Sequence, residues 1–468
     1  MIRKGLVIAV ILLFVGITVF PSIESETVEK LSTLISNGNI LYVGGTGPGN
    51  YSVIQDAIDN ASNGDTVFVY DDSAPYYEHT IINKSINLIG ENRDTTIIDG
   101  SGNGTVVYIS GDYVNITGFT IQNCGPHPYS GIESVSLFNC ISYNDIISNW
   151  YGIRMRSGCH NNTIKYNHVV DGNVGIYMSG TNGNLIIGNN ASSQNHQGIS
   201  IYACCNNTVT GNNVESNTNN LGIYIRYYSL HNTISGNNVS NNEKGIKLES
   251  HADHNIISGN NVYLNHEYGI RLEYADYTNV IGNTVSDNVV GISLFESRDN
   301  LFYHNNLINN SQNAFDNNRN VWYNSTHQRG NYYDDYTGED NDSNGIGDTP
   351  YSIPPSGNNL DLYPLMEPYI YQDVTVELHT GFFVKVVFVN EYESGIFDVV
   401  YQIKVRGGIF NYLNKDKNGM LDYIGPGKNK SAIVPIIGIG PITIEVIIGN
   451  GETFNFDATV LFIYVFPK

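Results

Sequence analysis

Residues 232–254 read NTISGNNVSNNEKGIKLESHADH. Short alternating pieces (Thr233-Ile234, Asn238-Val239, Ile246-Lys247-Leu248) are separated by Gly, Asn and Ser, and no part keeps helical spacing. A period of two broken by turn residues predicts three short strands joined by tight corners. The third piece opens on a Gly-Ile pair, which recurs at Gly131, Gly152, Gly175, Gly198, Gly222, Gly245, Gly269 and Gly291, 21 to 24 residues apart. Two asparagine columns keep phase with it: Asn139, Asn162, Asn184, Asn207, Asn232, Asn255, Asn279 and Asn300, then Asn144, Asn167, Asn189, Asn212, Asn237, Asn260, Asn283 and Asn305. Self-similarity at a fixed period means stacked coils, none of which can bury its apolar face alone.

Asn and Gly tolerate the left-handed backbone that a sharp corner needs. With corners stacked about 4.8 Å apart, the side-chain amides of each column can hydrogen-bond along the axis. A leucine-rich horseshoe also carries an asparagine column but needs a denser leucine frame, which this chain lacks. The expectation is an all-β protein: a right-handed parallel β-helix of about 11 coils, roughly 50 Å long, followed by a small β-sandwich.

Twenty-three Lys and Arg face 45 Asp and Glu in 468 residues, a formal charge of −22. Such a surface argues against nucleic acid and anionic membranes as partners. Residues 2–20, IRKGLVIAVILLFVGITVF, have the basic start and apolar run of an export signal, so residues 1–26 are a signal peptide or a retained N-terminal anchor. Any membrane contact is expected through that segment alone. Five cysteines, Cys124, Cys140, Cys159, Cys204 and Cys205, lack the spacing of a disulfide framework. About a dozen N-x-S/T sequons, including Asn50, Asn83, Asn115, Asn238 and Asn324, suit an exported glycoprotein.

After a linker at 27–39, residues 40–64 read as a strand and a capping helix, with Ser52 and Gln55 forming a capping box ahead of VIQDAIDNA. Residues 65–330 make the β-helix, 331–370 an acidic closing segment, and 371–468, with alternating strands and Gly-rich turns, the β-sandwich.

The opening ILYVGGTGPGNYSVIQDAIDNASNGDTVFV, followed by INKSINLIGE and VNITGFTIQN, resembles NosD-type, pectin-lyase-like β-helix proteins over roughly residues 40–366. The segment 330–366 is similar to the one that closes NosD-type repeats, and the C-terminal GGI…IGPGK…GIGPITIEV layout resembles immunoglobulin-like modules of archaeal surface proteins. The resemblance implies the fold strongly. It also implies copper, because the family includes a periplasmic protein tied to copper-site maturation. On the residues, His231 and His254 occupy one register in neighbouring coils with His251 close by, the place to look for copper or zinc. Each is also a turn residue beside a ladder asparagine, where a polar side chain is expected without a metal.

Asp340, Asp342, Asn344, the Ile346 carbonyl and Asp348 follow the oxygen spacing of half a calcium loop, with Gly345 at the bend and Tyr351 where the closing glutamate would stand. Structural calcium is expected there, an acidic turn being the alternative. Asn414, Asp416, Asn418 and Asp422 repeat the spacing more weakly, as a second candidate for metal, with a polar hairpin turn as the default reading.

In a Gly-Ile-x-apolar strand the Ile points inward and the intervening residues outward. The outward columns are Arg154, Tyr177, Ser200, Tyr224, Lys247, Arg271 and then Arg156, Ser179, Tyr202, Arg226, Glu249, Glu273. Five cations interleaved with tyrosines on an acidic chain point to an acidic polysaccharide or cell-surface glycan, with Arg154, Arg156, Tyr177, Tyr202, Tyr224, Arg226, Lys247 and Arg271 as binding residues. Outward strand positions also favour tyrosine and same-strand charge pairs. Glycosidic cleavage needs two carboxyls about 5 to 9.5 Å apart. Glu249 and Glu273, beside Arg271, are the candidates, whereas Asp334 and Asp335, consecutive in a strand, are expected to face opposite ways. The reading is an exported surface protein that binds carbohydrate without cleaving it. A polysaccharide lyase, hydrolase or epimerase is the first alternative and a periplasmic copper-handling protein the second.

Overall fold

The computed structural model describes residues 38–217, 221–355 and 357–369, and beyond them the segments 375–379, 384–389, 396–407, 413–424, 428–435, 438–448, 453–462 and 464–467. The signal or anchor at 1–26 and most of the linker at 27–39 lie outside the described residues. No described helix is long and apolar enough to cross a membrane.

Within the quoted stretch the strands are Thr233–Ser235, Asn238–Ser240 and Lys244–Glu249. Each pairs in parallel with its counterpart one coil on: Ile234 opposite Ile257, Val239 opposite Val262, Ile246 opposite Ile270. Repetition builds three parallel sheets of 12, 11 and 11 strands, which parallel bridges extend to about 13 turns against the 11 coils expected. The fold is a right-handed parallel β-helix. Ile234, Val239, Ile246 and Leu248 are fully buried, and their equivalents continue the stack along the axis. Each such aliphatic side chain contributes about 1.5–3 kcal/mol by leaving water.

The corners follow one rule. A residue with positive φ turns the chain and the next residue enters the ladder: Gly236 (φ 59) before Asn237, Asn241 (φ 54) before Asn242, His254 (φ 56) before Asn255. The Asn237 backbone N–H and Nδ2 both donate to Asn260 Oδ1 at 2.9 Å, and Nδ2 also reaches Val209 O at 2.9 Å. The second column runs as expected. In the first, the rung is Thr278 rather than Asn279: the Thr278 N–H donates to Asn300 Oδ1 at 2.7 Å, while Asn279 opens the next strand. A third column, unforeseen, links Gln194, Asn217, Asn242, Asn265, Asn288 and Asn310.

Helix α1, Ile54–Asn60, lays Ile54, Ala57 and Ile58 over the first coil. The Ser52–Gln55 capping box does not form. Val53 is the N-cap and offers no side-chain bond, and Gln55 turns to Asp59 and Ile81. The Glu78 carboxylate takes the role, accepting the N–H groups of Ile54 and Gln55 at 2.9 and 3.1 Å, because a charge facing a helix N-terminus outcompetes a local hydroxyl. Ahead of the helix, Ile40–Val43 already pairs with Thr66–Val69 as the first strand of a solenoid sheet.

At the far end Tyr332–Tyr333 adds the last parallel strand to Asn306 and Leu307, and the antiparallel hairpin Tyr351–Ile353 and Asn359–Asp361 follows. Beyond it lie a three-stranded and a five-stranded antiparallel sheet. They share one apolar core, to which Val386 and Phe388 contribute from the first sheet and Ile403, Val405 and Ile444 from the second.

Candidate functional site

Pairing across the third sheet aligns Arg154, Tyr177, Ser200, Tyr224, Lys247 and Arg271 in one row. Ser179, Tyr202, Arg226, Glu249 and Glu273 align in the next, and Arg156, following Met155 opposite Met178, falls in line with Ser179. Ile153, Met155, Ile176 and Met178 point inward and are fully buried, which leaves the charged rows on the outer face.

The cations there are tied to carboxylates and to rings. Lys247 bridges Glu249 and Glu273, reaching Glu273 Oε2 at 3.2 Å, and Arg271 Nε meets the same oxygen at 3.2 Å. Arg154 and Arg156 both pair with Glu133, at 3.5 and 3.1 Å. Glu133 lies opposite Arg154 in the preceding coil and was missed in the sequence, although Gly131-Ile132 marks its register. Arg271 lies 4.5 Å over the Tyr268 ring, Arg154 5.0 Å over Tyr151, and Arg226 4.9 and 5.3 Å over Tyr224 and Tyr202. Two of the tyrosines expected to be free for stacking, Tyr202 and Tyr224, are therefore covered by Arg226.

The candidate carboxyl pair is brought together by Lys247, and its electrostatics are one-sided. Burial works against charge on Glu273, but Lys247 and Arg271 outweigh it and hold the carboxyl below its ordinary pKa. Burial first, and then Glu249, which accepts the Tyr224 hydroxyl, push the Tyr224 phenol well up. Near neutral pH Glu273 stays ionised and Tyr224 stays protonated.

Asp334 and Asp335 do not face apart as expected. The strand ends at Tyr333, and in the turn after it both carboxylates accept from Asn313 Nδ2, at 2.8 Å each. The Tyr351 hydroxyl donates to Asp335 at 3.0 Å beside a cleft of about 700 Å³ lined also by Tyr336, Glu339 and Asp348.

In the acidic loop, Asp340 accepts the N–H groups of Asn344 and Gly345 at 3.1 and 2.9 Å, and Asn344 Oδ1 accepts the Ile346 N–H at 2.8 Å. Asp342 takes Asn344 Nδ2 at 2.9 Å, and Asp348 turns to the backbone and side chain of Asn341, which hold its pKa below the usual range. The second run is neither loop nor hairpin turn. Leu413–Ile424 is one extended strand, paired along its length with Ile396–Gly407, and Asp416 meets Arg406. Extended backbone sends alternate residues along one face about 6.6 Å apart, too straight for Asn414, Asp416 and Asn418 to surround an ion; the side chain of Asp422 lies outside the described residues.

With the geometry in place, the comparisons identify the family. Residues 58–229 and 218–338 match the family described as periplasmic copper-binding protein (NosD). The chain belongs to the NosD family. No curated protein matches the chain. Among solved structures, the Azotobacter vinelandii mannuronan C-5 epimerase AlgE4 A-module is 16% identical, with 56% of this chain and 85% of that one aligned and a TM-score of 0.47. The bacteriophage CBA120 tailspike protein 2 enzymatically active domain is 13% identical over 92% and 76%, TM-score 0.49. The Paenibacillus alginate lyase is 16% identical over 55% and 99%, TM-score 0.43.

The copper in the NosD description does not fit the residues of this chain. His231 and His254 stack face to face, centroids 5.2 Å apart and planes 21° off parallel, and Tyr277 continues the stack. Imidazole lone pairs lie in the ring plane, so stacked rings aim in parallel rather than at a common ion. His251 stacks on Tyr228 instead. Burial pushes the thiols of Cys124, Cys159 and Cys204 up, away from thiolate. Among the described residues no three His, Cys, Asp or Glu gather where they could hold a metal ion.

Proposed function

We propose that this NosD-family chain is an exported, surface-held protein that lays an anionic polysaccharide along its third sheet and does not cleave it. One observation carries the reading: in a chain with 45 acidic and 23 basic residues, the two outward rows and Glu133 hold five cations against three carboxylates. Local positive charge on an acidic solenoid steers a polyanion to that face and away from the rest. The same groups support the non-cleaving part of the reading. Hydrolysis needs a protonated acid and elimination a ready base; Glu273, held ionised beside Lys247 and Arg271, does not supply the acid, and Tyr224, held protonated, does not supply a phenolate base. The alternative is a lyase, hydrolase or epimerase built on Glu249 and Glu273, which Lys247 does bring together.

The test passes acidic and neutral polysaccharides over the immobilised full chain and assays for reducing and unsaturated ends. Retention of acidic polymers that weakens steeply from 0.05 to about 0.5 M salt, with no new ends, is the expected result. New ends would replace the binding reading with the enzyme. Equal retention of neutral polymers, or retention of none, would remove the charged sheet as the cause.

A further inference from the structure

Arg226 stands apart from the other cations of the third sheet. Arg154, Arg156, Lys247 and Arg271 each hold a carboxylate, whereas Arg226 holds none among the described residues. Anions are not lacking. Glu249 is its partner across the strand pair, one sheet spacing of about 4.8 Å away, where an ion pair would ordinarily form. Both oxygens of Glu249 are taken elsewhere: Oε1 accepts the Tyr224 hydroxyl and Oε2 the Lys247 ammonium. The guanidinium is meanwhile fixed by the rings of Tyr224 and Tyr202, and its Nε is buried without a partner. Ser200, in register between Tyr177 and Tyr224, is fully buried and its Oγ also lacks a partner. A half-buried cation with its plane set by two aromatic rings, kept from its nearest carboxylate by a competing network, is pre-organised for an external anion.

We propose that Arg226 reads the carboxylate of a uronic-acid unit in the bound glycan, and that Glu249 is a positioning residue whose bonds to Tyr224 and Lys247 keep the guanidinium free for it. This rests on the polysaccharide reading above. A guanidinium meets a planar carboxylate through two parallel N–H···O bonds, a geometry that an ammonium cannot supply and a hydroxymethyl group does not answer. The site therefore separates a polyuronate from its neutral counterpart with the same linkages, whereas charge alone would not separate a polyuronate from a sulfated polymer.

The experiment measures affinity of the full chain for a polyuronate, for the same polymer with its carboxyls reduced to alcohols, and for a sulfated polysaccharide. The wild type is expected to bind the polyuronate at least tenfold more tightly than the reduced form. Arg226→Lys, which keeps the charge, should lose about tenfold in polyuronate affinity and little for the sulfated polymer. Glu249→Gln should lower the same uronate-to-sulfate ratio with circular dichroism unchanged, which a merely structural role would not do. Arg226→Gln provides a second variant should the lysine form fold poorly. If Arg226→Lys leaves the ratio unmoved, the uronate assignment is overturned while the polysaccharide reading stands; if the wild type holds the reduced polymer as tightly as the polyuronate, the charged sheet falls as the cause together with the assignment. If no polymer binds, both readings fall.

Discussion

Asn237 occupies the middle of a ladder and uses every polar atom it has. Its Oδ1 accepts the backbone N–H and Nδ2 of Asn212, and its own donors go to Val209 O and Asn260 Oδ1. It is about 1% exposed, so water cannot replace any of these bonds. Asn237→Ala takes the side-chain partner from one buried donor, the Asn212 N–H, and one buried acceptor, Val209 O, and each orphaned group costs about 1–3 kcal/mol. A loss of at least about 2 kcal/mol is expected in urea unfolding of the full chain, and a loss under about 1 kcal/mol would show the ladder to be ornamental. Two columns were legible in the sequence because they keep a nearly constant distance from the Gly-Ile pair. The third keeps its spacing as well, five residues after the second column at Asn212–Asn217, Asn237–Asn242 and Asn260–Asn265, but Gly172 and Gln194 stand in its early rungs and break the run of asparagine. Thr278 was passed over for the same kind of reason, since its neighbour Asn279 carries the amide that the pattern sought.

Single elements show where local chemistry yields to contacts from the next coil. Helix α1 is two turns long and could not persist alone. It is clamped at both ends from the following coil: Glu78 holds its first N–H groups, while Lys84 Nζ donates to the carbonyls of Ile58, Asp59 and Ala61 at 3.1, 2.7 and 2.8 Å. Lys84→Met keeps the aliphatic stem and removes the donors. Faster amide exchange across residues 54–61 is expected, with the solenoid's far end unchanged; unaltered exchange there would mean that Ile54, Ala57 and Ile58 anchor the helix by burial alone. The third sheet teaches the same lesson. Alternation along each strand told which residues face outward, so the Arg and Tyr rows were visible beforehand. Which cation each carboxylate chooses depends on side-chain reach between coils, so the diversion of Glu249 from Arg226 to Lys247 and Tyr224 had no signature in spacing.

Across the whole molecule the three ladders share a direction and an ending. Each rung hands its N–H groups to the next coil, so the last rung is left with donors and no rung beyond. A side chain with acceptor oxygens to spare is needed there, and each column meets an aspartate. Asn320 Nδ2 donates to Asp316 at 2.9 Å, and the N–H and Nδ2 of Asn331 reach Asp361 Oδ2 at 2.7 and 3.1 Å. Asn310 passes through Asn313 to Asp334 and Asp335. Asp361 also takes the Tyr333 hydroxyl at 3.3 Å and the Tyr363 N–H at 3.0 Å, while a Cβ on Gly330 would come within 1.9 Å of its Oδ1. Burial outweighs these donors and raises the Asp361 pKa from 3.8 to about 7, and burial raises Asp316 in the same direction. The folded end thus binds more protons than the opened one between those values, so the stability contributed by protonated Asp361 is complete below about 3.8 and is lost as pH rises through about 7. Amide protection of Asn331 and Tyr363, corrected for intrinsic exchange, is expected to fall between about pH 4 and 7 and to level off above, while that of Asn237 stays level. Asp361→Asn should flatten the dependence at a lower protection throughout, because an amide places a donor against donors. Protection that rises with pH in the wild type would reverse the sign and make the ionised carboxylate the better end for the ladder.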